Sequence, residues 1–481
     1  MIELASAIDL GLVQIRALAH SAEELTLSPA LMAQIDRDRA VTMRALSSGS
    51  AVYGVNTGMG ALAGLQLSET DQASHQGNLM LARSVGGAPW LRPEQVRAVV
   101  GARLRTLLAP EAGVSAKLCQ ALAAIIGTDS LPAIPARGCG AAGEIIPLAH
   151  LGGYLTGTGT MLQDGTAVAA GHHRYQFGPK EGIALLEGMP VITGLSILIS
   201  EQARTIADLT TTFVGIGVAV VGGNRDPFTA VLARKDSILR SMFAQVSAAA
   251  GPEPKPRSLQ LPLSFRVAAG VAATLHRCAD LADERVEASF DRITDSPAFV
   301  GGHFVGTDGF YGYDLALALD SLRLALCHMG ELSARRLHRL LDPAVTDLPR
   351  QLSARPGLHA GLVAVHKRAV SAVRELQMLA QPMTIGTIET SLGQEDVQTF
   401  GVDAAEQTDR AIGALCTILA CEGLALHQAV LLGGRPPSMG PAGCALLDQL
   451  AQLLPVTSTD RPFGIDLENL RSWVQATTAR A

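Results

Sequence analysis

Two stretches of this 481-residue chain carry residue types that could do chemistry. Residues 52–60 read VYGVNTGMG, with Tyr53 held among three glycines and an Asn56-Thr57 pair. A tyrosine on such a loop can expose its phenol in a cleft. With an ordinary pKa of about 10, it accepts a proton at neutral pH only beside positive charge or a hydrogen-bonded network. The same run also reads as a tight turn with a packing tyrosine. Residues 134–150, IPARGCGAAGEIIPLAH, form an apolar glycine-rich turn around a Gly-Ala-Ala-Gly run. His172 and His173 suggest a metal, but adjacent residues on a loop seldom converge on one ion without further ligands, so a polar loop is expected and no metal. The seven cysteines, at 119, 139, 278, 327, 416, 421 and 444, are scattered without CxxC pairs. They suit buried thiols in a reducing cytoplasm, and a cytoplasmic protein is expected.

The elements that position these residues must be folded. Hydrophobic residues make up 48% and charged residues 17%, which excludes a disordered chain. A net charge of -6 and the lack of any Lys/Arg block argue against nucleic acid or an anionic membrane as partner. The mean hydropathy of +0.26 is high for a soluble protein and comes from Ala and Leu spread along the chain. The best membrane candidate, residues 211–223, is too short to span, so no span is expected. The first residues, MIELASAIDLG, lack a basic start followed by an apolar run, and no secretory signal is expected. The excess apolar surface is expected to be buried between subunits of an oligomer.

In chain order, residues 1–50 have the apolar spacing of two or three helices. A helix closes at Arg83 and another opens at Pro93, with Arg97, Arg103 and Arg105 expected on its solvated or ion-paired side. A hairpin is expected near residues 163–173, and a helix from Gly182 that includes Glu187. From about Met189 the chain turns into long Ala/Leu/Arg segments at 194–221, 266–286, 312–341, 357–379 and 403–432. Segments this long without strand-like alternation argue for a helical bundle. The expected division is a loop-rich N-terminal α domain over 1–190 and a long-helix bundle with C-terminal helices over 191–481.

Tyr-Gly-Val-Asn-Thr-Gly at 53–58, GAAGEIIPLAH at 140–150, LSFR at 263–266, GGHF at 301–304, ELSARR at 331–336 and SLGQED at 391–396 stand together in one order. In that order and approximate spacing the chain resembles the histidine and phenylalanine ammonia-lyases over nearly its whole length. The resemblance implies a mainly α fold with a long central helical bundle. It also implies a homotetramer whose active sites each draw loops from three subunits. The family further makes its own electrophile, a methylidene-imidazolone, from an Ala-Ser-Gly triad: the Gly nitrogen attacks the Ala carbonyl and the Ser side chain loses its hydroxyl. The matching residues here are Ala141, Ala142 and Gly143. Alanine has no β leaving group, so the group is not expected and no cofactor replaces it.

Two explanations stand: a serine replaced for study, or a member that works without the group. The surroundings favour the second. The family's Asp after the triad is Glu144, its Asn-Gly-Thr is Glu187-Gly188-Met189, and the Tyr of its Tyr-Ser-Leu-Arg is Leu263. Its Gly-Asn-Phe asparagine is His303, and its Asn before Gln-Glu-Asp is Gly393. Cys139 offers a thiol leaving group but sits three residues off the triad position.

By resemblance, Tyr53 is the catalytic tyrosine, Arg266 pairs with a substrate carboxylate, and Gln394 and Glu395 stand near its amino group. Asn56 belongs to the Tyr loop, where it binds substrate or shapes the loop. Arg83 replaces a substrate-selecting histidine, which points to an anionic or strongly hydrogen-bonding substrate end, or else to an ion pair with Glu144 or Glu187. Glu187 could bind a cation or act as an acid with a raised pKa, and His303 could act near pH 7. The leading expectation is an enzyme acting on a small carboxylate-bearing, amino-acid-derived substrate by acid/base elimination, isomerisation or cyclisation without the electrophile. The alternatives are an ordinary ammonia-lyase carrying a Ser-to-Ala change and a non-catalytic binding protein of the same fold.

Overall fold

Serines and prolines set where the early helices begin. Pro29 opens α2 (Pro29–Leu46) behind Ser28, whose hydroxyl accepts the Leu31 N–H at 3.2 Å; α1 is Leu12–Ser21. Ser68 caps α3 (Glu69–Arg83) and Ser115 caps α5 (Ala116–Ile126), while α4 (Pro93–Leu107) starts on its proline. These are followed by α6 (Ile145–Thr156), α7 (Glu181–Leu186) and α8 (Pro190–Val220). The later helices are α9 (Ser237–Ala250), α10 (Leu263–Arg266), α11 (Ala268–Phe290), α12 (Tyr313–Leu340), α13 (Pro343–Thr346) and α14 (Val363–Leu379). The last are α15 (Gly401–Gly433), α16 (Pro441–Leu453) and α17 (Phe463–Thr478). The computed structural model describes residues 1–479 other than Ala141, His172, His173, Glu253, Pro254 and Pro437, with only the backbone at Ala73. The chain is mainly helical, as its residue spacing and its resemblance imply.

Among the described residues the strands form three two-stranded sheets. β1 (Ile2–Leu4) pairs in parallel with β2 (Leu25–Leu27). The expected hairpin is β3 (Thr160–Gln163) with β4 (Thr166–Ala169), and a further hairpin joins β5 (Ala298–Val300) to β6 (His303–Val305). The expected His172-His173 loop lies outside the described residues.

By contacts the chain divides into two units, and neither is continuous. One comprises Met1–Leu198, Leu281–Asp320 and Pro382–Glu406; the other comprises Ile199–Asp280, Ser321–Gln381 and Gln407–Ala481. The expected boundary at 190/191 falls at the first residue of α8, and the long helices α8, α11, α12 and α15 each continue past a unit boundary.

In the first unit, α4 packs on α1 and α5, and α3, α6 and α7 pack on one another. Gly182 lets α7 press on α3, since a Cβ there would stand 2.4 Å from the Gln76 carbonyl oxygen. Of the solvated or ion-paired side expected for the three α4 arginines, the solvated face is corrected, while Arg97 is ion-paired to Asp129 at 3.5 Å. Arg97, Arg103 and Arg105 are all buried. Arg97 Nε donates to the Ile126 carbonyl at 3.0 Å, Arg103 reaches the carbonyls of Ala184 and Glu187, and Arg105 lies over the Phe290 ring. Helix-end carbonyls and a ring face supply partners that make burial of these cations tolerable.

In the second unit, α9 packs on α16 and α16 on α17. Arg336 of α12 makes a two-pronged pair with Glu422 of α15, at 2.6 and 2.8 Å, both side chains fully enclosed.

Residues 211–223 lie mostly within a much longer apolar helix than their composition indicated. The helical runs 181–220 and 401–433 are each long and apolar enough to cross a membrane, but their apolar windows are 100% and 78% buried within the chain. They are core helices. Burial likewise pushes the thiols of Cys119, Cys416 and Cys421 up to about 12.

Candidate active site

The Tyr53 loop is built by its own side chains. Asn56 Oδ1 accepts the Val52 N–H at 2.6 Å and its Nδ2 donates to the Ser50 carbonyl at 2.8 Å. Gln76 of α3 ties this loop to α7, donating to the Gly54 carbonyl at 2.9 Å and accepting from the Ile183 N–H at 3.1 Å. The Tyr53 hydroxyl accepts the Gly60 N–H at 2.8 Å. Burial, with the charges of Glu187 and Glu395, holds the phenol above its ordinary pKa, while the Gly60 amide and Arg83 pull the other way.

The turn at 138–144 is anchored at both ends. Cys139 Sγ donates to the Gly143 carbonyl at 3.4 Å. Glu144 is buried, and its carboxyl accepts the N–H groups of Val191 and, at 2.8 Å, Ile192 in the first turn of α8. Burial pushes Glu144 up to about 8 against the pull of those amides and of Arg103. Ala142 N–H donates to Glu395 Oε2 at 2.9 Å, and Glu395 also accepts from the hydroxyls of Ser391 at 2.9 Å and Thr390 at 3.2 Å. Ala141 lies outside the described residues.

Glu187 follows the last residue of α7 and is 8% exposed. Its Oε2 lies 3.8 Å from where a Cβ on Gly143 would stand. Burial first, then the charges of Asp295 and Glu395, push its carboxyl up to about 8, while Arg103 and Lys180 oppose the rise. Arg83 ends α3, half-buried, and contacts the Leu79 carbonyl at 3.3 Å and Met59 Sδ at 3.5 Å. Among the described residues it makes no ion pair within 4.0 Å, so the expected pairing with Glu144 or Glu187 is not formed.

These groups meet in one cleft of about 1070 Å³ inside the first unit. Tyr53, Arg83, Ala142, Gly143, Glu187, Gln394 and Glu395 all line it. Arg83 is the one cation among the described residues of its wall. Sequence reasoning missed five lining residues: Met59, Phe304 and Asp396, which lie within quoted motifs but were given no role, and Phe310 and Tyr311, which lie outside them.

Three expected site residues stand elsewhere. Asn56 is buried in the loop with both ends of its amide occupied, so it shapes the loop and does not line the cleft. His303 is exposed on β6; alternation along that strand gives the cleft Phe304 and turns His303 away. Arg266 lies in the second unit, where Nη1 donates to Gln260 Oε1.

The residues here do not fit a methylidene-imidazolone. Position 142 has no β-oxygen to lose, and the ring-supporting asparagine of the family is an acidic side chain, Glu187. Among the described residues, no group of three or more His, Cys, Asp or Glu is arranged to hold a metal.

A family model described as aromatic amino acid lyase matches residues 10–452. The chain is 30% identical to the histidine ammonia-lyase of Rhodospirillum rubrum, over 95% of this chain and 93% of that one. It is 29% identical to that of Deinococcus radiodurans, over 96% and 92%. Among solved structures, the tyrosine aminomutase of Streptomyces globisporus superposes with a TM-score of 0.92 at 25% identity, covering 99% and 98%. An ergothioneine-degrading enzyme, the ergothionase of Treponema denticola solved with desmethyl-ergothioneine sulfonic acid, gives 0.92 at 21% identity and shares the fold over 100% of both chains. With its cleft built on the Tyr53 loop and the 138–144 turn, and the family's pattern running through nearly all of its length, this chain belongs to the aromatic amino acid lyases.

Proposed function

We propose that this protein is a lyase that eliminates a leaving group from a small, amino-acid-derived carboxylate by acid/base chemistry, without a methylidene-imidazolone. One observation carries the reading: beside the turn where Ala142 replaces the electrophile's serine, Glu187, pushed up to about 8, shares a cleft with Tyr53 and Arg83. The family's electrophile acts on a substrate amine or ring; without it, the substrate must bring its own leaving group. A nitrogen that is already quaternary has no lone pair to add to an electrophile and departs as a neutral amine, so such a substrate has no use for the missing group.

The two titratable groups divide the work. Below about pH 8 Glu187 carries its proton, which removes one of the charges that hold the Tyr53 phenol up. Arg83 and a cationic substrate nitrogen then favour the phenolate further. Tyr53 takes the proton from the carbon next to the one bearing the leaving group, the C–H electrons form the double bond, and the leaving group departs with its bonding pair. A leaving group that is not already cationic takes the Glu187 proton as it goes. Arg83 holds an acceptor end of the substrate.

The reading includes a homotetramer in which Arg266 of another copy binds the carboxylate. Exposed Tyr313, Leu317 and Leu324 along α12 support burial between copies.

The test is a panel of histidine, phenylalanine and tyrosine beside their trimethylammonio counterparts and ergothioneine, itself a trimethylated amino acid. Amine release and the absorbance of the unsaturated acid are followed before and after borohydride treatment. Turnover of a quaternary substrate that survives borohydride is expected; borohydride-sensitive release of ammonia from a free amino acid would overturn the reading.

A further inference from the structure

The short helix α7 is gripped at both ends by buried charge. At its start Lys180, fully buried and in a left-handed conformation at φ 72°, donates from Nζ to Asp295 Oδ2. At its end the fully buried Arg103 donates Nη1 to the Glu187 carbonyl and Nη2 to the Ala184 carbonyl. Gly188, at φ 111°, makes room for that guanidinium: a Cβ there would stand 2.5 Å from Arg103 Nη1. The same Cβ would lie 3.4 Å from the carbonyl oxygen of Thr294, the neighbour of Asp295. One segment, 294–295, therefore lies close to the residues that flank α7 on both sides.

Three side chains recruited from α4, from the residue before α7 and from residue 295 thus converge on the backbone that carries Glu187. A buried ion pair is a poor source of stability, because desolvation offsets the attraction. Its presence behind a cleft residue needs another reason. We propose that Arg103, Lys180 and Asp295 are positioning residues for Glu187, a clamp that fixes its carboxyl at the cleft wall and sets the field it titrates in.

The groups facing Glu187 make the sign definite. Asp295, Lys180 and Arg103 face it from inside; Glu395, Tyr53 and Arg83 share the cleft with it, and Glu144 acts on Arg103. Asp295 is the strongest of the charges acting on Glu187 and opposes its ionisation, while Lys180 is the weakest and favours it. Neutralising Asp295 alone removes the opposing charge and leaves two cations, so the Glu187 carboxyl should ionise at lower pH. Neutralising Lys180 as well should return part of that fall.

The proposal rests on the reading above only in giving Glu187 a part in turnover, and its test uses no substrate. The carboxyl stretch of Glu187 is titrated by difference infrared spectroscopy in full-length protein labelled with ¹³C-glutamate, with E187Q and E144Q assigning the bands. Asp295→Asn should lower the midpoint by about one pH unit or more. The paired change Lys180→Met with Asp295→Asn should lower it less, and it keeps the site neutral and filled should the single variant not fold. A Glu187 midpoint equal to that of the unaltered protein in the paired variant, with or without a change in melting temperature, overturns the proposal and leaves the clamp a structural feature only.

Discussion

The amide of Ala142 donates to Glu395 Oε2 at 2.9 Å, across 253 residues of sequence. Ring closure in the family's electrophile turns the nitrogen at this position into an imine and removes that hydrogen. Ser391 and Thr390 hold the Glu395 carboxylate for the bond that this hydrogen makes.

Restoring the serine should not restore the electrophile. In Ala142→Ser the hydroxyl returns, but Glu187 still stands where the family has an asparagine. The intact mass of the variant should equal that of the unmodified chain, with no new near-ultraviolet band. A mass short by the two waters of ring formation, with cinnamate or urocanate released from the free amino acid, would instead identify an ordinary ammonia-lyase.

Arg83 is a cation in the cleft wall without a carboxylate partner among the described residues, so a substrate acceptor group gains a charge-assisted bond there. Arg83→Met should raise KM by about 10- to 100-fold, the range expected for losing a hydrogen bond to a charged group. It also removes a charge that holds the Tyr53 phenol down, so any rate limb that reports the phenol should move to higher pH. An unchanged KM would place the substrate's acceptor end elsewhere.

The sequence makes these parts legible to different depths for physical reasons. Glycines and prolines mark the Tyr53 loop and the 138–144 turn because their backbone demands are local. Glu187 stands out as a charge in an apolar run, and it does face the cleft. Arg103 was misplaced because helical periodicity says which residues share a face, not whether that face meets carbonyls or water. Its partners at 184 and 187 belong to a helix and the residue that follows it, more than 80 residues away. Lys180 and Asp295 are 115 residues apart and become a pair only in the fold. His303 lies off the cleft of its own chain because a two-residue strand period, invisible in a Gly-rich loop, decides which neighbour faces it.

Tyr53 and Arg266 belong to different units of the chain, and the proposed assembly joins them across copies. Tyr53→Phe and Arg266→Ala should each lower turnover by about 100-fold or more on the scale of lost acid/base catalysis and of substrate orientation. Unfolding the two inactive proteins together and refolding them should return part of the activity, since some mixed sites draw Tyr53 from an Arg266→Ala chain and Arg266 from a Tyr53→Phe chain. No recovery, with tetramers formed, would mean that each chain builds its site alone; full turnover in both single variants would show that neither residue takes part in the chemistry.

Glu187 sets a stability cost that function retains. An unfolded glutamate ionises at about 4.3, whereas the folded one is pushed up to about 8. Over that window the native state binds the proton and the unfolded state does not, so stability falls as pH rises, and the loss is complete above the folded value. Glutamine has no such penalty. Glu187→Gln should therefore match the unaltered protein near pH 4 and become increasingly more stable than it up to pH 8, by on the order of 5 kcal/mol, followed as melting temperature against pH. Glu144, pushed up to about 8 as well, remains in both proteins and cancels from the difference. The same variant should lose turnover by about 100-fold or more for a substrate whose leaving group needs a proton, and far less for one that leaves as a neutral amine. Equal losses on the two substrates would show that Glu187 serves in binding and carries no proton to the leaving group.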